Sequence, residues 1–544
     1  MATRDGVSRW LFGAWPDLLL GCGLLYAAVF VGFAIGGASA RAAQPDVLIP
    51  VLLVLFSMPH YGATLVRVYE QRESRRRYAA FSIYATGAVI ALFVAGLYDV
   101  RIGSLLLTLY LTWSPWHYTG QNYGLSVMFL RRRGVSLDPT TKRWLHASFG
   151  LSYALVFLAL HASHGMGAIE YAANRYDAGS PVRFVSVGLP SQFTSPAFVL
   201  LGLAYLGALA IAAVRLLRSA PARDLLPTAA LCLTQALWFS IPVTFMYTKT
   251  KLGIEPIDGY SAIQEYVFFI ALGHAIQYLW VTTYYARAGG HFEGYARYLG
   301  KTLVAGITLW TLPILFFSPD LFGPTSHASR VAVLMASAIN VHHFILDGAI
   351  WRLRDGPIAR VLLRSQGLES AIRPASWPRH VGWALAISWV LLQGLASLEF
   401  QLGALPALEP FDRARIETSV RRLRWIGLDS SDLRFRLGVA AGEGGALEEA
   451  RSQFSRSLEI EESGRGWVGL SHVEFHAGRR DQARVALARA VRAEPEDPET
   501  WLRSSEVWQA MDDLVPARAA LARALELEPE REDLRSRLAE FPAP

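Results

Sequence analysis

The stretch Asn340-Val341-His342-His343-Phe344-Ile345-Leu346-Asp347-Gly348 lies in an apolar run that starts near Val331 and ends at Trp351-Arg352-Leu353-Arg354. On a helix, His343 and Asp347 share one face, four residues apart, and His342 points about 100° away. Two imidazoles and a carboxylate in such a segment are costly to bury unless something uses them. A metal ion is the user these donors suit. Three more apolar runs carry histidine: Ser57-Met58-Pro59-His60-Tyr61-Gly62, Ser114-Pro115-Trp116-His117-Tyr118-Thr119-Gly120, and Gly273-His274-Ala275-Ile276-Gln277-Tyr278. The first two share a pattern, with proline just before a His-Tyr pair and glycine after it. Proline bends helices and glycine lets backbones approach, so both histidines are expected at kinks where helices touch closely.

The elements that position these residues are read from composition. The chain has 544 residues, 52% hydrophobic and 18% charged, with mean hydropathy +0.27. That is too apolar for an ordinary soluble protein and too long for one domain. Runs that approach the roughly 20 residues needed to cross a bilayer predict about eleven helical spans. They fall near Trp15–Gly36, Val47–Tyr69, Tyr78–Tyr98, Gly103–Leu130, Trp144–His161, Ser195–Leu217, Leu225–Tyr247, Tyr260–Tyr285, Thr302–Phe317, Arg330–Ile350 and Val381–Leu398. The first is read as a retained span rather than a cleaved signal. Arginines gather in every second loop, which places the N-terminus in the cytoplasm and the C-terminus outside. The net charge of +7 therefore reads as topology, and no basic patch interleaved with aromatics points to nucleic acid. The usage suits a GC-rich bacterium, with the inner membrane as the expected location. Cys22 and Cys232 form neither a disulfide framework nor a thiolate metal site.

Depth then links the histidines. Arg67 follows His60, Arg352 follows His343, Arg287 follows His274 and Arg131 follows His117. These intervals put four imidazoles from separate helices within about 10 Å of one another along the membrane normal. We expect His60, His117, His274, His342, His343 and Asp347 to supply a metal site. Tyr61, Tyr118 and Tyr278 are expected to line its pocket. Gln121 and Gln277 either orient a ligand or bond between helices. His146, His161, His164, His291, His327, His380, His472 and His476 read as ordinary.

Imidazole with carboxylate suits iron, zinc or copper, and the lack of thiolate donors argues against Cu(I) and iron–sulfur centres. The motif Met58-Pro59-His60-Tyr61-Gly62, with histidines spread over several apolar helices, resembles the membrane carotene-cleaving oxygenases of the Brp/Blh type. It departs from their Pro-His-Gly motif by carrying Tyr61 between histidine and glycine. The resemblance implies non-haem iron oxidising or cleaving a lipid-like substrate reached from the bilayer. Two other readings stay open: haem on a histidine pair for electron transfer, and a transporter or assembly platform. A lipid-linked sugar transferase would need acids in an outer loop after the first span, where only Asp46 stands.

Beyond residue 400 the composition turns to Ala, Arg, Glu and Leu and begins to repeat. Ala450, Ala483 and Ala517 mark equivalent places, followed by Phe454, Leu487 and Leu521, then Leu458, Val491 and Leu525; Pro495 and Pro529 close two units. A period of about 34 residues with this pattern resembles the tetratricopeptide repeat, a helix–turn–helix solenoid that binds protein or peptide partners. The expected fold is all-α: a membrane bundle over 1–400, a linker over 401–429, and tetratricopeptide-like repeats over 430–544.

Overall fold

The structure is a computed structural model that describes residues 8–42, 48–70, 72–162, 182–247, 267–288, 292, 294–317, 329–351, 356–364, 377–408, 412–425, 429–495, 497–529 and 531–541. Among the described residues every regular element is helical, and one isolated bridge joins Ala162 to Leu189. The chain forms two compact units, Met1–Trp310 with Ala332–Ile387, and Thr311–Val331 with Ser388–Pro544.

The longer helices through the apolar part are α1 (Leu24–Ala42), α2 (Met58–Tyr69), α3 (Thr86–Tyr98), α4 (Val100–Arg132), α5 (Pro139–His161), α6 (Ser191–Ser219), α7 (Ala222–Gln235), α8 (Val267–Arg287), α9 (Tyr295–Phe317), α10 (Ser329–Ile350), α11 (Gly356–Arg364) and α12 (Trp377–Leu398). Local chemistry sets several ends. The Asp99 carboxylate accepts the Arg101 amide at the start of α4, and Gly134, at φ +72°, closes its end with Val135 N–H bonding Leu130 O at 2.9 Å. Asp138 caps α5 through the Thr140 and Thr141 amides, with Pro139 in the first turn. The Thr141 hydroxyl and amide and Arg215 hold the Asp138 carboxyl down at about 2. This cap is therefore fully present above the ordinary value of 3.8 and is lost as pH falls through about 2.

Fewer of the described helices suit a membrane crossing than the sequence predicts. Six helices among the described residues are long and apolar enough to cross a membrane, or seven if one bent pair counts as a span, where the sequence predicts about eleven. The six are 80–98, 139–161, 192–219, 222–247, 333–350 and 377–404. The predicted first span is the bent pair, Ala14–Gly21 and Leu24–Gly36, broken by 58°. Gly23, at φ +79°, supplies the left-handed turn, and Asp17 is buried beside it. The Asp17 carboxylate accepts the Leu11 and Phe12 amides at 2.6 and 3.1 Å and Trp280 Nε1 at 3.1 Å. Of the four remaining runs, three carry His60, His117 and His274. Helix α4 is long enough, at 33 residues, but Ser114, His117, Thr119, Gln121 and Asn122 replace apolar residues at its centre. The run holding His60 is interrupted by a π turn over Leu53–Ser57. Residues 260–266 of the run holding His274 lie outside the described residues.

The core of the first unit gathers on α4. Its Leu125, Met128 and Phe129 pack with Leu231 of α7, Trp280 and Val281 of α8, and Val361 and Leu362 of α11. Arg132 is buried at the end of α4 and donates to Leu362 O and Ser8 O, both at 2.7 Å.

In the second unit the expected linker 401–429 contains α13 (Arg413–Arg424), whose Ile416, Val420 and Leu423 pack with Ala404, Ala407, Leu433 and Leu437. Antiparallel pairs follow: α14 (Ser431–Glu443) with α15 (Leu447–Ile460), α16 (Gly464–His476) with α17 (Arg480–Ala493), and α18 (Pro498–Ala510) with α19 (Leu514–Leu527), then α20 (Glu532–Glu540). Ser430, Ser463 and Asp497 cap the first helix of each pair. Ala450, Ala483 and Ala517 are fully buried, as the repeat pattern predicts.

The turn within each pair uses a left-handed residue: Gly445 at φ +75°, Gly478 at +79° and Asp512 at +61°. Only the third carries a side chain there. Asp512→Gly is expected to stabilise the repeats by roughly 0.5–1 kcal/mol, because relief of the Cβ clash exceeds the added unfolded-chain entropy. Thermal unfolding followed by circular dichroism would show it, and an unchanged or lower midpoint would refute it.

Candidate metal centre

Four helices of the first unit bring their histidines together. His60 enters from the first turn of α2, just after Pro59 and the π turn that precedes it. His117 comes from the middle of α4, two residues beyond Pro115. His274 comes from α8, and His343 with Asp347 from one face of α10. The ring centroids lie 4.2 Å apart for His60–His343, 4.9 Å for His60–His274, 4.9 Å for His117–His274 and 5.2 Å for His117–His343. His60, His274 and His343 are buried, and His117 is nearly so. The depth agreement expected from the sequence becomes direct contact.

The nitrogens are what make the cluster unusual. Both ring nitrogens of His60 and of His274, and Nε2 of His117 and of His343, are buried without a hydrogen-bond partner among the described residues. Leaving such groups unsatisfied is costly. Two donor sets each fall within 4.8 Å: His60, His274 and His343, and His117, His343 and Asp347. Asp347 Oδ2 lies 3.2 Å from His343 Nε2 and 3.7 Å from His117 Nε2. The orphaned lone pairs and the nearby carboxylate fit a cation of the iron or zinc type.

A second layer of side chains sets how these donors point. Asp347 Oδ1 accepts from Tyr278 Oη at 2.7 Å and from Thr64 Oγ1 at 3.1 Å. Thr64 Oγ1 also lies 3.0 Å from His343 Nδ1. A hydroxyl has one proton, so with that proton on Asp347, or on Tyr278 Oη 2.6 Å away, it accepts from His343 Nδ1–H. The tautomer this assigns leaves the His343 Nε2 lone pair free inside the cluster. Trp351 Nε1 donates to Tyr278 Oη at 3.1 Å, and Arg67 stacks over the Trp351 ring at 3.7 Å.

The remaining candidates sort by position. His342 does not join the cluster: its Nε2 faces Thr86 Oγ1 at 2.9 Å and Tyr69 Oη at 3.3 Å. Tyr118 stacks on His274 at 4.2 Å, and Tyr61 lies 5.3 Å from His343 with its hydroxyl donated to Asn340 Oδ1 at 2.8 Å. Tyr278 packs its ring 4.8 Å from His60. Gln121 Nε2 donates to Gln277 Oε1 at 2.9 Å and to the His274 carbonyl at 3.3 Å. That is bonding between α4 and α8 rather than to any imidazole. Sequence reasoning missed Thr64, Trp351 and Phe344, whose ring stacks on His117 at 4.5 Å. Thr64 follows His60 by one helical turn and Trp351 follows Asp347 likewise, so the signal was present in the spacing.

Helix α2 is also held by an unusually close approach. A Cβ built on Gly62 would lie 1.8 Å from Thr302 O, and one on Gly306 would lie 1.9 Å from Met58 O. The glycine after the first His-Tyr pair thus serves the close contact expected of it. At the second pair no described residue comes within 4 Å of the Gly120 Cβ position.

Residues 464–507 match the tetratricopeptide repeat family, which covers α16, α17 and most of α18. Repeats of this family generally mediate binding between proteins, so this region supports a protein partner. Comparison with curated proteins finds no match.

Proposed function

We propose that the chain is an integral-membrane metalloenzyme in which His60, His117, His274, His343 and Asp347 hold non-haem iron. Its substrate is a hydrophobic, lipid-like molecule that it oxidises or cleaves, and its repeats recruit a protein partner on the outer side of a bacterial inner membrane. The observation that carries this reading is the set of buried, partnerless ring nitrogens converging from four helices. Iron held by imidazoles with open positions supplies oxygen activation. The rest of the task falls to the chain. Thr64 and Asp347 fix the tautomer and aim of His343, while Tyr118, Phe344, Tyr278 and Tyr61 wall the cluster with aromatic rings. Such a wall keeps water away and suits an apolar substrate. A bare ion suits the packing better than haem, because rings 4.2 Å apart at His60 and His343 leave no slot for a planar macrocycle.

Elemental analysis and an optical spectrum of detergent-purified protein test this proposal. Near-stoichiometric iron without a Soret band is expected. A Soret band, or no bound metal even after anaerobic reconstitution, would contradict it. The tautomer assignment makes its own prediction: Thr64→Val removes the acceptor for Nδ1–H and should weaken metal binding by about 10–100-fold without unfolding the chain. A chelator competition titration measures this, and an unchanged affinity would refute it.

A further inference from the structure

Two histidines that the sequence gives no reason to single out stand together in the repeats. His472 and His476 lie one turn apart on α16, both exposed, with ring centroids 4.3 Å apart and Nε2 atoms 3.2 Å apart. Two neutral imidazoles at this separation either share one proton or turn two lone pairs toward one point. A zinc-type cation bonds imidazole nitrogen at about 2.0–2.1 Å, so a tetrahedral bite needs nitrogens about 3.3–3.4 Å apart. The observed separation lies close to that value with both side chains as they stand. The i, i+4 spacing places both rings on the same helix face, the arrangement by which one helix offers two ligands to one ion.

The position of the pair adds to its geometry. Helix α16 packs against α14 before it and α18 after it, so the first helices of the three pairs lie side by side. In a solenoid of helix pairs such a row forms the surface on which partners dock. In the register of Ala450, Ala483 and Ala517, the places of His472 and His476 are taken by Val439 and Glu443 in one neighbouring pair and by Glu506 and Ala510 in the other. The imidazole pair belongs to the middle repeat alone.

We propose that His472 and His476 form a bidentate site for a zinc-class divalent cation on the row of first helices. Its remaining coordination positions stay open to a carboxylate or imidazole of the bound protein partner. Neither ring is part of the cluster on α2, α4, α8 and α10, and the site stands whether or not that cluster holds metal.

Zinc titration against a chromophoric chelator tests it, using the full-length detergent-solubilised chain without an oligohistidine tag. The comparison variants are His472→Ala/His476→Ala and His117→Ala/His343→Ala. The first variant is expected to lose one zinc equivalent, or to bind it at least tenfold more weakly, while the second retains that equivalent. Both substitutions fall on an exposed helix face where alanine is well tolerated, so unchanged circular dichroism should accompany the loss. Immobilised nickel, which reaches only exposed rings, should retain the wild type and release the first variant at lower imidazole. Equal zinc binding by wild type and His472→Ala/His476→Ala, or no zinc bound outside the buried cluster, would overturn the proposal.

Discussion

Alanine at His343 is expected to weaken metal binding by at least about 100-fold, whereas alanine at the adjacent His342 should leave it within a factor of about 3. The two rings share a dipeptide but not an environment. His343 offers a partnerless Nε2 to the cluster, 3.2 Å from Asp347 Oδ2, while His342 Nε2 is engaged by Thr86 and Tyr69. Loss of His343 also removes the shared member of both donor sets. Neither of the sets that remain would hold three protein ligands. Competition with a metal chelator on the two purified variants makes the comparison. Equal loss in both, or greater loss in His342→Ala, would contradict the assignment of His343.

Valine at Gly306 is expected to destabilise the protein by more than about 3 kcal/mol, with alanine at Gly62 close behind. The reason is backbone rather than side chain. Each added Cβ would fall within 2 Å of a carbonyl oxygen on the facing helix, Met58 O for Gly306 and Thr302 O for Gly62. No rotamer change can relieve such a contact, so α2 and α9 must separate. Because His60 sits between Met58 and Gly62, the displacement should also reduce metal binding. Melting in detergent would show a fall of at least about 5 °C. Gly120→Ala, whose added carbon meets open space, is the matched control and should melt as the wild type does. A Gly306→Val protein that melts alongside this control would refute the close-contact account.

The parts of this structure that could be read from the sequence are those written in short-range spacing. The His343-to-Asp347 face, and the apolar places four and eight residues after the repeat alanines at 450, 483 and 517, depend on one or two helical turns. The grouping of His60, His117, His274 and His343 was legible for a different reason. Each of these histidines precedes the arginines at the end of its run by a comparable number of residues.

What failed to read out involves competition between helices. The same polar residues that draw α4 into the cluster make its centre less apolar, so among the described residues fewer helices pass as spans than the apolar runs suggest. Glycine at 62 and glycine at 120 look alike in sequence, yet among the described residues only the first meets a neighbouring backbone, that of α9. His342 and His343 both touch α2, but His342 meets Tyr69 at its end together with Thr86 of α3, while His343 meets His60 and Thr64. Thr64 had the right spacing but no chemistry of its own to draw notice. Its role appears only once Asp347 and His343 are brought to the same hydroxyl.

X-ray absorption at the metal edge tests the central claim most directly, on detergent-purified protein reconstituted with Fe(II). A shell of nitrogen and oxygen donors at about 2.0–2.2 Å is expected, with the outer-shell scattering of three or four imidazoles, reduced in His343→Ala. A shell without imidazole scattering, a porphyrin pattern, or a spectrum unchanged by that substitution would contradict it.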